Sequence, residues 1–98
     1  MKTENHLSPQ DFIDLGIEHI VRCESPENFE STYQKRITDK EIYCFVHHYN
    51  KNELIICVHE RGFPANGRLE RLFKGTIANQ DQLKSICKVL EIPQLNLN

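Results

Sequence analysis

From Phe29 to Ile37 the chain alternates in character. Phe29, Ser31, Tyr33, Lys35 and Ile37 fall on one side of an extended backbone, and Glu30, Thr32, Gln34 and Arg36 on the other. A two-residue period of this kind predicts an antiparallel strand with one wet face. Residues 42–49, IYCFVHHY, are rich in β-branched and aromatic side chains and predict a second strand. Leu54 to Glu60 reads as its return partner, with Asn50, Lys51 and Asn52 as the hairpin turn. Arg68 to Ile77 predicts a further strand. Its apolar residues Leu69, Leu72, Phe73 and Ile77 break the alternation, and Gly75 is a candidate bulge. Ile17 to Cys23 fits a strand better than a continuation of the helix before it.

Two segments carry the longer helical period. Ser8 and Pro9 form a helix start, Asp11 adds negative charge in the first turn, and Gly16 suits a left-handed C-terminal position, so a short helix is expected near 9–15. Leu83, Ile86, Cys87 and Leu90 stand at i, i+3, i+4 and i+7 and form one apolar stripe. Asn79 and Gln82 have capping-box spacing ahead of that stripe, and Pro93 follows its end. Turn residues at 23–28 and 62–67 mark loops. The expected fold is α+β and two-layered: an antiparallel meander of three to five strands packed against the C-terminal helix, with a short N-terminal helix. One domain spanning 1–98 is expected, with 1–7 and 94–98 as loose ends.

Composition agrees with a small globular domain, 39% hydrophobic and 27% charged. The longest uncharged apolar run, Leu54 to Val58, is far too short to span a bilayer, and the N-terminus lacks the apolar core of a signal peptide. A soluble cytoplasmic protein without membrane contact is the expectation. The four cysteines, Cys23, Cys44, Cys57 and Cys87, include no close-spaced pair, so reduced structural thiols are expected. The net charge of −2 is unevenly spread. Residues 1–34 hold two basic and seven acidic side chains, whereas residues 35–98 hold ten basic and seven acidic. The bland reading is ordinary solvated surface; the sharper one is a dipolar molecule whose basic side meets an acidic partner.

The stretch CFVHHYNKNELIICVHE, residues 44–60, concentrates thiols and imidazoles. Strand geometry puts His47 and His48 on opposite faces. A register pairing Tyr49 with Leu54 gathers Cys44, Cys57 and His59 on one face. A register pairing Tyr49 with Glu53 separates them. The trio is an alternative metal site, or a cysteine–histidine catalytic pair, against the simpler reading of a structural hairpin. Zinc sites draw ligands from tight turns, and nucleophilic cysteines favour helix ends, neither of which is offered here.

Arg61, Phe63, Arg68, Arg71 and Lys74 are the candidate binding residues. They combine a basic run with an aromatic side chain in a breaker-rich loop. The reading that follows is a small interaction module, binding another protein or a second copy of itself. The alternative is a nucleic-acid-contacting regulator using residues 61–74. No catalytic residue and no cofactor is assigned.

Overall fold

The computed structural model describes residues 7–25, 28–60 and 68–97. The elements in chain order are α1 (Pro9–Ile13), β1 (Glu18–Ser25), β2 (Asn28–Arg36), β3 (Glu41–His48), β4 (Glu53–Glu60), β5 (Arg68–Thr76) and α2 (Gln80–Val89). The strands form one antiparallel sheet in the order β1-β2-β3-β4-β5, so each strand lies beside its neighbour in sequence. Short connections produce this meander directly. Both helices pack on one face, and the shortest dimension, 19 Å, is that of one helix layer on one sheet. The α+β two-layer architecture expected from the pattern is present, with five strands.

The core lies between that face and the helices. The β2 residue Tyr33, the β3 residue Phe45 and the β4 residues Leu54 and Ile56 meet Phe12 of α1 and Leu83 and Cys87 of α2, all fully buried. Phe12 stacks on Tyr33 with ring centroids 3.8 Å apart. The Asp11 carboxylate accepts from the Ser8 N–H at 2.8 Å and closes the start of α1. Gly16 turns the chain out of α1 at φ +92°, a conformation glycine tolerates without a steric penalty. Asn79 Oδ1 accepts from the Gln82 N–H at 3.0 Å at the start of α2. Gln82 Oε1 accepts in turn from the Ala78 N–H at 2.7 Å.

Several expectations need correction. The hairpin follows neither register considered above. Cys44 pairs with Cys57, Phe45 with Ile56 and His48 with Glu53, leaving Tyr49 to Asn52 in the turn. The reason lies in Asn52, which adopts φ +56° and tucks its side chain inward. With Nε2 protonated, His47 donates to Asn52 Oδ1 at 2.9 Å. The Leu7 N–H also reaches that oxygen, at 3.4 Å. The Asn52 carbonyl accepts from the Ile77 N–H at 3.2 Å. One turn residue thus ties the hairpin to the entry of α1 and the exit of β5. The bulge in β5 falls between Arg71 and Phe73, at Leu72 and not at Gly75. The expected loose ends are partly held. Leu7 is buried, Leu95 and Leu97 pack against the core, and the Asn96 N–H donates to the Leu15 carbonyl at 2.9 Å.

Candidate functional site: the uncovered face of the sheet

The helices leave the second sheet face without cover among the described residues. The register determines what stands on it. One row across the sheet reads Val21, Thr32, Val46, Ile55 and Lys74. The next reads Glu18, Gln34, Cys44, Cys57 and Arg71. Below it come Arg36, Ile42, His59 and Leu69. The face therefore has an apolar and thiol-bearing centre, with Glu18, Glu30 and Arg36 on β1 and β2, Glu53 on β4, and the basic Arg71 and Lys74 on β5. Glu30 lies 3.7 Å from His48 Nε2. Val21 and Leu69 are large apolar side chains exposed on this face, at 53% and 67%.

Of the candidate binding residues, Arg71 stands opposite Cys57 and Lys74 opposite Ile55, both exposed on this face. Arg68 opens β5 opposite Glu60. Arg61 and Phe63 lie outside the described residues. The aromatic side chains Tyr33, Tyr43 and Phe45 all belong to the helix-covered side, and the uncovered face presents no Phe or Tyr among the described residues. A single-stranded nucleic acid would find basic side chains here without rings to stack on.

The trio Cys44, Cys57 and His59 does share a face. Cys44 is directly opposite Cys57, while His59 stands one pair further along, opposite Ile42. Among the described residues no three His, Cys, Asp or Glu side chains converge as metal ligands. Burial, with Cys57 alongside, raises the Cys44 thiol above its ordinary range. Burial also raises Cys57, although the Arg71 guanidinium draws it partly back. Both thiols stay protonated near neutrality, the unreactive form.

Main-chain bonds define the ladder further. The Tyr49 N–H donates to the Phe29 carbonyl at 3.0 Å and the Ile37 N–H to the Glu41 carbonyl at 2.9 Å. Odd-numbered residues of β3 therefore bond to β2, and even-numbered ones to β4, as antiparallel alternation requires. Cys44 and Cys57 form a hydrogen-bonded pair, the wider of the two spacings, and both are free thiols. Carried across β4, the alternation turns the main-chain groups of Phe73 and Gly75 inward. This agrees with the bond from Ile77 to Asn52. The main-chain groups of Lys74 and Thr76 then point out of the sheet.

Sequence reasoning missed two features. His47, fully buried, is the partner of Asn52, and its position in the Phe45 alternation was the available signal. The second is a buried polar group near β1: Ser31 Oγ, Tyr33 OH and His19 Nε2 find no hydrogen-bond partner among the described residues. Burial raises the Tyr33 phenol, and the nearby Ser31 hydroxyl tempers the shift without reaching hydrogen-bonding geometry. No family model, curated protein or solved structure matches the chain. Among the described residues no helix is long and apolar enough to cross a membrane.

Proposed function

We propose that the chain is a small protein-binding module that engages a protein partner, or a second copy of itself, through the uncovered sheet face and β5. The observation that supports this reading is the composition of that face. Val46 and Ile55 lie at its middle, Val21 and Leu69 are exposed on its edge strands, and Arg71 and Lys74 add charge on β5, a mixture of apolar and charged groups of the kind interfaces use. A reducing, cytoplasmic setting goes with the reading and is supported by the free thiols of Cys44, Cys57 and Cys87.

Sedimentation velocity over a wide concentration range, combined with photo-crosslinking from position 46 in cells, tests it. The expected result is a concentration-dependent dimer or a specific cross-linked protein, lost in the folded variant Val46→Lys. A monomer at every concentration that also cross-links to nothing rejects the reading.

A further inference from the structure

On the helix side of the sheet, between β5 and α2, lies a groove of about 370 Å³. Phe73, Thr76 and Ile77 form one wall, and Gln82, Ser85 and Ile86 the other. Its volume is within the range of clefts that hold ligands. Gly75 leaves room for the ring of Phe73, which lines the groove. No side chain rises there, and the tip of the Phe73 ring comes within 2.9 Å of where a Cβ would stand. Val89 follows Ser85 and Ile86 on the same side of α2 and is 76% exposed, so the apolar rim continues along the helix.

The groove runs beside an open strand edge. Among the described residues no strand pairs with the outer side of β5. The ladder alternation turns the main-chain donors and acceptors of Lys74 and Thr76 toward that side. An edge of this kind is a template for another strand. A strand added there places alternate side chains on the two faces of the sheet. Those on the helix side enter the groove. Those on the other side stand beside Arg71 and Lys74.

We propose that the β5 edge and the β5–α2 groove together accept an extended segment of another protein, in which apolar and acidic residues alternate. The segment adds to the sheet as a new edge strand. Its apolar side chains fill the groove against Phe73 and Ile86, and its acidic side chains face Arg71 and Lys74. Main-chain bonds supply affinity and the alternation supplies selectivity, as in other cases of strand addition. The inference rests on the binding-module reading and specifies the partner of its basic strand. Charge argues against a second copy at this edge. β5 beside another β5 would bring Arg71 and Lys74 of both copies together, and like charges across a strand pair destabilise it. The acidic strand β1 of another copy would instead extend head to tail into an open chain.

Fluorescence anisotropy with a labelled synthetic peptide, Glu-Val-Glu-Ile-Glu-Val-Glu, tests the proposal. Two controls are used: the same residues in blocked order, and the alternating peptide with lysine in place of glutamate. The alternating acidic peptide is expected to bind at least about tenfold more tightly than either control, a difference of about 1.4 kcal/mol. Amide hydrogen exchange at Lys74 and Thr76 slows on binding. Ile86→Lys, which fills the groove from a half-exposed helix position, is expected to abolish binding. A double reversal, Arg71→Glu with Lys74→Glu, is expected to transfer preference to the lysine peptide. Asp39→Ala, in the exposed turn between β2 and β3, is expected to leave the affinity unchanged. Equal binding of alternating and blocked peptides, no binding of any, or undiminished binding by Ile86→Lys each overturns the proposal. Self-assembly into open chains that bury the edge does so as well. The sedimentation and crosslinking experiment at position 46 does not involve the groove, so the binding-module reading stands or falls separately.

Discussion

Ile55 and Ile56 are chain neighbours of identical chemistry on β4, yet they lie on opposite faces of the sheet. Ile56 is fully buried between Phe45 and Phe73 under the helices, whereas Ile55 sits half-buried between Val46 and Lys74. The same contrast holds for the thiols. Cys87 is sealed between α2 and the sheet, with its ionisation pushed up to about 12 by burial. Cys44 and Cys57 are only half-buried on the other side. The helix-covered face holds the aromatic rings and the buried hydrogen-bond node, and the uncovered face holds Arg36, Arg71 and Lys74 with Glu18, Glu30 and Glu53. The close-packed core therefore lies on one side of the sheet, and exposed charged side chains on the other. The β5 edge, next to both, offers main-chain groups to either.

The largest effect should come from truncating the covered face. Ile56→Ala is expected to cost about 2–5 kcal/mol, whereas Ile55→Ala should cost less than about 1 kcal/mol. Urea unfolding midpoints with unchanged slope measure both, and equal losses would break the contrast. Next is the node beneath the hairpin turn. Asn52→Ala removes the acceptor of a buried imidazole and places a Cβ residue without a compensating side chain at φ +56°. A loss of about 2–4 kcal/mol follows. Asn52→Gly should recover the backbone part of it but not the hydrogen bonds.

A smaller effect separates the thiols by pH. Above 9.0 the Cys87 thiol of the unfolded chain ionises while the buried one holds its proton to about 12. Its contribution to stability is therefore complete below 9.0 and is lost as pH rises toward 12. Tyr33 and Tyr43, also raised by burial, add to the same alkaline decline. Thermal melts across that range should decline less steeply in Cys87→Ala, and Cys44→Ala should alter the slope less. Smallest of all, Arg71→Ala should change stability by no more than about 0.5 kcal/mol, even where it weakens binding. A larger loss would make Arg71 structural.

Most of the elements were legible because they rest on local rules. The alternation of 29–37, the stripe of Leu83, Ile86, Cys87 and Leu90 and the turn chemistry at Ser8 and Gly16 each correspond to an observed element. The bulge was less so. Gly75 is the residue that permits one most readily, yet it was needed instead for the approach of Phe73. The hairpin register was out of reach because its determinant is tertiary. Pairing Tyr49 with Leu54 or with Glu53 is acceptable locally, but the observed pairing of His48 with Glu53 is the one in which Asn52 meets His47, Leu7 and Ile77. The pairing of Cys44 with Cys57 follows from that choice.

Sequence by itself determined the alternating and helical segments, the meander they must form, and the unequal charge of the two halves. Those follow from side-chain period, short connections and composition, all of which are properties of neighbours along the chain. Tertiary structure alone decided the register, the face that the helices cover, and the placement of Arg71 and Lys74 on the uncovered face of β5, across the sheet from the groove. Each of these depends on contacts between residues far apart in the chain, whose free energy no local pattern contains.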